Sequence, residues 1–246
     1  MSATRLNAYL ARSGVASRRA ADRLIASGSV LVNGRTPPPE GVVIDPEKDT
    51  VTVDGRTVKP LASYRYVMLN KPLGVITTAR DEAGRTNVLD VLGDEGASGH
   101  RVFPVGRLDA DSTGLLILTD DGELGYRLTH PRYKVDKEYV VVVGGNPSRA
   151  DLEKLRSGLR LDDGMTAPAD VEVLRVLPGP SAELRVVIRE GRQRQVRRML
   201  LAVGHRVHTL TRTAFGPLRL GRLKPGSWRV LGDAEVAALR RSAGLT

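Results

Sequence analysis

Four apolar residues in a row, Leu115-Leu116-Ile117-Leu118, stand between Gly114 and Thr119 and constrain this chain more than any other stretch. Such a run, bounded by turn formers, suits a strand covered on both faces, so the rest of the chain must supply core to either side of it. A looser apolar group, Val102, Phe103 and Val105, leads in to the same place and reads as a second buried strand. Between the two lies Gly106-Arg107-Leu108-Asp109-Ala110-Asp111-Ser112-Thr113-Gly114, a loop framed by glycines and carrying Arg107, Asp109 and Asp111. Charged loops on a rigid scaffold are where binding and catalytic groups gather. Asp and Ser in a loop also make side-chain-to-backbone turns, and spacing alone leaves both readings open.

The chemistry available is narrowed by what is missing. The 246 residues include no cysteine, which removes disulfides, thiolate nucleophiles and zinc ribbons together. No Walker loop and no Gly-x-Gly-x-x-Gly occurs, so no ATP or dinucleotide site is expected. There is no apolar run of about 18 residues, and Met1-Ser2-Ala3-Thr4-Arg5 lacks a signal-peptide apolar segment; a soluble, cytoplasmic protein with no membrane partner is expected. The net charge of +10 points to a polyanion, and its distribution sharpens that. Nine arginines lie between Val186 and Arg222 against Glu190 alone, and six between Met1 and Arg35 against Asp22 alone. Nucleic acid is the expected partner, with binding that weakens as salt rises.

The first sixty residues read as a small helix pair plus hairpin. Leu6, Tyr9 and Leu10 follow helical spacing up to Gly14, and Ser17 is placed to cap a second helix over Arg18 to Ala26. Val30-Leu31-Val32 then enters an Asn33-Gly34 hairpin turn, and Pro37-Pro38-Pro39 breaks in as an extended loop. The order Arg5-Leu6-Asn7-x-Tyr9-Leu10-Ala11, Gly14-x-x-Ser17-Arg18-Arg19-x-Ala21, Leu24-Ile25-x-x-Gly28-x-Val30-x-Val32-Asn33-Gly34 resembles the S4 RNA-binding domain. That resemblance implies docking on structured RNA through phosphates and shape, by Arg5, Arg12, Arg18, Arg19 and Arg23.

A second domain is expected over residues 61–246, after an S4 domain over 1–60. Tyr66 to Leu69 is a strand running into Asn70-Lys71-Pro72-Leu73-Gly74; Lys71 has a phosphate-binding or catalytic reading, but Pro72 and Gly74 favour a structural turn. Residues 79–99 read as a polar surface excursion around a short helix near Val88 to Leu92. Asp120-Asp121-Gly122 is read as a turn rather than a cation site, and His205 with His208 lack a third ligand, so no metal is expected. The β-branched run after Lys137-Glu138-Tyr139 is a core strand, with Tyr139 a core aromatic on the bland reading. Ser148 caps a helix through Arg156, and two strands flank the turn at 178–180. In the next helix Val196, Met199, Leu200 and Val203 share one face. Arg194, Arg197 and Arg198 crowd its start, where the helix dipole disfavours cations, which hints at an anionic partner. Asp233 is placed to cap a last helix ending near Arg241.

Three ordered motifs carry a resemblance over Tyr66 to about Leu239. They are Gly106-Arg107-Leu108-Asp109-x-Asp111-Ser112-Thr113-Gly114-Leu115-Leu116, then Lys137-Glu138-Tyr139, then Glu190-Gly191-Arg192-x-Arg194-Gln195-Val196-Arg197-Arg198-Met199. Phe215-Gly216-Pro217-Leu218 and Leu223-x-Pro225-Gly226 also fit. The arrangement resembles the RsuA/RluB family of ribosomal RNA pseudouridine synthases. It implies an α+β fold, with a large, mainly antiparallel mixed sheet and flanking helices behind the S4 domain. It also implies a monomeric isomerase without cofactor, acting on ribosomal RNA or a ribosomal precursor particle.

By the same resemblance, Asp109 is the essential carboxylate, Tyr139 packs against the target base, and Arg197 pairs with Asp109. Arg107 holds the extruded nucleotide, and Arg192, Arg194 and Arg198 extend the RNA-binding surface. A neighbouring guanidinium keeps a carboxylate ionised, and a base must leave the stack before its glycosidic bond can break. Three points of attack stay open to the carboxylate: C6 of the base, C1′ of the ribose, or a sugar proton. Arginine at 197 resembles the large-subunit branch, which implies a 23S rRNA target; a 16S target is the alternative. A non-catalytic S4-type assembly factor is a competing reading, although it has no need of Asp109, Tyr139 and Arg197 together. A hydrolase using Asp109 with Asp111 ranks last, since one loop does not give facing carboxylates.

Overall fold

The computed structural model describes residues 3–79, 81 and 83–245; the excursion over 79–99 thus includes two positions, 80 and 82, outside the described residues. The chain divides into two compact units, Met1–Tyr64 with Ser98–Arg101, and Arg65–Ala97 with Val102–Thr246. Among the described residues no helix is long and apolar enough to cross a membrane.

The first unit runs β1 (Thr4–Arg5), α1 (Leu6–Arg12), α2 (Arg18–Ala26), β2 (Val30–Val32), β3 (Val43–Ile44), β4 (Val51–Val53) and β5 (Arg56–Thr57). Ser17 caps α2 by accepting from the Ala20 amide at 3.3 Å. Leu6, Leu10, Ala21, Ile25, Val30 and Val51 close one small core. The Asn-Gly turn forms, with φ of 51° at Asn33 and 77° at Gly34, yet it does not open a hairpin. After one bridge from Val32 to Arg35 the chain departs, and β2 pairs instead with β4. The run at 37–39 explains the departure, because prolines carry no N–H for a ladder. Asn33 serves the new partner, donating to Asp49 at 2.8 Å and accepting from the Thr50 amide at 2.9 Å.

The second unit begins with β6 (Tyr66–Lys71), α3 (Val88–Ala97), β7 (Phe103–Pro104), β8 (Thr113–Thr119), α4 (Gly122–Thr129) and a 3-10 turn at Pro131–Tyr133. It continues through β9 (Lys137–Gly144), α5 (Arg149–Ser157), β10 (Arg160–Leu161), β11 (Gly164–Met165), β12 (Asp170–Leu177) and β13 (Ser181–Ile188). Last come α6 (Gln195–Ala202), β14 (Val207–Phe215), β15 (Leu218–Arg219), β16 (Trp228–Val230) and α7 (Asp233–Ser242). One sheet carries the unit, in the order β12-β13-β9-β14-β8-β6-β16, with β15 and β7 on its margins. Every pairing in it is antiparallel except β14 with β8.

The two-sided burial expected of Leu115–Leu118 is what the sheet provides. Leu116 and Leu118 enter one core with Val88, Leu155, Val196, Met199 and Leu200, whereas Leu115 and Ile117 enter a second with Leu124, Leu128 and Leu239. Helices α3, α5 and α6 thus contribute to one core and α4 and α7 to the other, in an α+β fold. Ser148 and Asp151 form the reciprocal cap of α5, and Asp121 caps α4 by accepting from the Leu124 amide at 3.0 Å.

Two local expectations are corrected. First, β6 does not stop at Leu69: Asn70 and Lys71 stay in the ladder, opposite Leu115 and Gly114. Their polar ends are satisfied internally, so burial costs less than the residue types suggest. Second, α7 is capped from Gly232, whose amide is taken by Glu235 at 3.0 Å; Asp233 is the first helical residue. A strand that the sequence did not announce, β14, lies in mid-sheet although residues 207–215 show no apolar run, because it alternates and carries the buried Arg212 inward.

Candidate active site

The glycine-framed loop before β8 is gripped from Leu108 to Ser112. The Thr77 hydroxyl donates to the Leu108 carbonyl at 2.6 Å, and the Gly74 amide donates to Ala110 at 2.8 Å. Lys71, fully buried, donates to the carbonyls of Pro72 at 2.9 Å and Ser112 at 2.8 Å. Arg197 on α6 donates to the Asp111 carbonyl at 2.6 Å. A loop whose carbonyls are held this way presents its side chains at fixed positions, as a preorganised site requires.

Those side chains face a cleft of about 410 Å³. Asp109, Arg107, Tyr139, Lys137, Arg212 and Arg194 line it. Asp109 is 38 % exposed in its side chain, open to the cleft and to water. Tyr139 reaches the cleft from β9, where alternate residues Lys137, Tyr139, Val141 and Val143 form one buried face. The cleft therefore sits where that face runs out of apolar core.

The pairing of charges differs from the expected one. The guanidinium beside Asp109 is that of Arg194, at 3.6 Å. Arg194 also forks onto Asp111, donating at 3.0 and 2.7 Å. Arg197 makes its ion pair with Asp111, at 3.4 Å, and acts on Asp109 only through space. The reason is position: Arg194 precedes α6 in a left-handed conformation, φ 49°, which throws its side chain across the loop, while Arg197 lies within the first turn of the helix. The Arg194 hydrogen bonds hold the Asp111 carboxyl below the ordinary carboxylate range, and the charge of Arg197 adds to this.

The cations crowding the start of α6 find much of their expected anionic partner inside the chain. Arg198 donates to Asp162 at 2.5 Å and Asp163 at 2.7 Å. Arg192 bonds the carbonyls of Gly164, at 3.1 Å, and Met165 on the same hairpin. Gln195 is buried and bonds Glu190 at 2.6 Å, bracing the bend that leads into α6. Arg107 is exposed and makes no hydrogen bond or ion pair among the described residues, so it stands ready for a ligand. In the first unit Arg18, Arg19 and Arg23 are exposed along α2, Arg5 reaches the Glu40 carbonyl at 3.4 Å, and Arg12 lies over the Tyr64 ring. Among the described residues no cluster of His, Asp and Glu is placed to hold a metal ion.

Lys71 is more than the turn residue it was read as. Burial pushes its pKa down from the ordinary 10.5 to about 8, against the pull of Asp109 and Asp111. A lysine depressed in the folded state holds fewer protons than its unfolded counterpart between about pH 8 and 10.5, so stability rises with pH across that window. Below it the full penalty applies, on the order of 3 kcal/mol for a shift of this size. Urea unfolding of the protein and of Lys71→Met at pH 7 and pH 10 measures this. The stability of the natural protein relative to the variant should increase by about 1–3 kcal/mol; a constant difference would show that the amine is not strained at neutral pH.

Residues 65–202 match the family described as RNA pseudouridylate synthase, and residues 4–36 match the S4 domain. An RNA pseudouridine synthase of Aquifex aeolicus is 44% identical over 246 residues, covering 100% of this chain and 97% of that one. The ribosomal large subunit pseudouridine synthase B of Bacillus subtilis is 42% identical, covering 97% of this chain and 96% of its own. Among solved structures, a pseudouridylate synthase crystal structure superposes with a TM-score of 0.68 at 29% identity, over 96% of this chain and 99% of that one.

Proposed function

Because the chain belongs to the RNA pseudouridylate synthase family and is an isomerase acting on RNA, we propose that it converts a uridine of 23S ribosomal RNA, with Asp109 as the attacking carboxylate. The observation that carries this reading is an accessible Asp109, held on a loop with all its neighbours pinned, sharing one cleft with Tyr139 and a guanidinium at 3.6 Å. The ribosomal target follows from the S4 domain and from likeness to the Bacillus subtilis large-subunit enzyme.

In the reaction the N1–C1′ bond breaks, the detached uracil turns, and a C5–C1′ bond forms. The C5 proton leaves and N1 gains one, so atoms and charge balance without redox equivalent or nucleotide. The protein must supply an extruded base, a nucleophile and a place for the base to turn. Tyr139 gives the base a flat apolar wall, and Arg107 at the mouth takes the phosphate of the flipped nucleotide. Arg194 keeps an opposite charge beside Asp109. Arg197 is a positioning residue, acting on the nucleophile through the Asp111 carbonyl.

The test is a map of pseudouridines in ribosomal RNA from cells with and without the protein. One 23S uridine should lose its modification in the deletion strain and regain it when the gene is restored. Loss in 16S rRNA instead would move the target to the small subunit, and an unchanged map would favour a binding factor.

A further inference from the structure

Two cations lie buried side by side on the wall of the cleft, with no carboxylate bonded to either among the described residues. Arg212 is 2 % exposed and Lys137 is 7 % exposed. Arg212 stands opposite Tyr139 in the β14·β9 register, so its side chain shares the face on which Tyr139 and Lys137 reach the cleft. Its Nε donates to the Leu115 carbonyl at 2.7 Å, and its guanidinium lies 4.9 Å from the Phe215 ring centre. Its Nη2 is buried without a hydrogen-bond partner. Lys137 donates to the Val135 carbonyl at 3.1 Å and lies 5.4 Å from the same ring. Burial, with the charge of Arg212, brings the Lys137 pKa down to about 8; Asp136 and Glu190 oppose this only from a distance.

A buried, unpaired guanidinium nitrogen is costly, and a second cation beside it makes it costlier. Such a pair is stable in a site whose occupant brings acceptor oxygen to it. The phosphates of an RNA chain stay at the mouth, where the exposed Arg107 is, and only the base of an extruded nucleotide reaches the buried wall. In uracil O4 lies opposite N1 across the ring, which makes it the atom farthest from the sugar. Cytosine carries an amino group, a donor, at that position.

We propose that Arg212 reads the base: its guanidinium donates to O4 of the extruded uracil, with Lys137 beside it, and so admits uridine and rejects cytidine. This rests on the synthase reading and adds a specificity-determining residue to it. The ring geometry gives the contact a second use. Turning uracil about the axis through N3 and C6 exchanges N1 with C5 and O4 with O2. The donor that held O4 before the glycosidic bond breaks therefore meets O2 after the base has turned, and one fixed guanidinium serves both ends of the isomerisation.

The experiment uses a short 23S transcript carrying the mapped uridine, and the same transcript with cytidine, 4-thiouridine or 2-thiouridine in its place. With the natural protein, the cytidine transcript should compete at least tenfold more weakly than the uridine one, and Arg212→Met should bring the two within threefold while lowering kcat. Arg212→Lys, which keeps a cation, should restore part of the preference. A preference unchanged in folded Arg212→Met would overturn the proposal. Arg212 packs on the β8 backbone, so the thiouridines give a test that needs no variant. Sulfur at position 4 should weaken binding to the natural protein at least fivefold relative to sulfur at position 2, and equal binding would overturn the contact. A natural protein that modifies no uridine fails at the synthase reading, before any variant is compared; an active protein with unaltered discrimination fails here alone.

Discussion

Asp109→Asn is expected to abolish pseudouridine formation while leaving RNA affinity within about threefold. Asparagine keeps the size of the side chain and loses the anionic oxygen, so only chemistry that needs the charge is removed. A nucleophile that forms a covalent bond, or a base that takes a proton, has no substitute in an amide. The loss should exceed about 1,000-fold in rate, equivalent to roughly 4 kcal/mol of transition-state stabilisation. Stability should change by less than about 1 kcal/mol, because the pair with Arg194 is partly exposed and Arg194 keeps its fork on Asp111. Single-turnover release of tritium from C5-labelled uridine in the RNA reads the chemistry, and filter binding reads the affinity. Full turnover by the variant would remove Asp109 from the mechanism. Lost binding together with lost turnover would mean that the carboxylate supports the RNA-binding surface instead.

Gly114→Ala should unfold or cripple the catalytic unit. Gly114 sits at φ 104°, a conformation side chains rarely tolerate, at the start of the pairing between β8 and β14. An added Cβ would lie 2.7 Å from the Arg212 amide nitrogen and closer still to its carbonyl oxygen. Backbone cannot retreat as a flexible side chain can, so the strands must part at the one parallel contact of the sheet. We expect a loss of at least about 3 kcal/mol, beyond the range of an ordinary surface change. A thermal melt within a few degrees of the natural protein would show that the sheet yields there more easily than its register suggests. Gly179→Ala is a fitting control, since a Cβ there meets nothing within 4 Å, although its own φ of 74° adds some strain.

Both predictions fall on residues of one motif, and only one of them was legible as function. Asp109 was legible because the ordered motifs around it carry the family resemblance; spacing alone left a turn residue and a functional carboxylate both open. Gly114 read as a frame for the loop, and nothing nearby announced that a strand nearly a hundred residues later would press against it. The helices were legible for a local reason: Ser17, Ser148 and the apolar stripe of α6 act within a few residues of themselves. β14 was not, because its partners β8 and β9 are distant in sequence and its inward arginine disguises the alternation. Lys71 was read as a turn for the same reason, since its burial depends on Ser112 arriving beside it.

The chain alone determined its two arginine-rich segments, the buried strand at its centre and the carboxylate on offer, because each is written in short-range pattern and residue type. Which guanidinium meets that carboxylate, and where two lysines and an arginine lose their water, was decided by the folded sheet. Those outcomes turn on ångström-scale approach between strands and helices far apart in sequence, and on the residue before α6 adopting a left-handed turn. Coulomb and desolvation energies change steeply over such distances, and no local pattern encodes them.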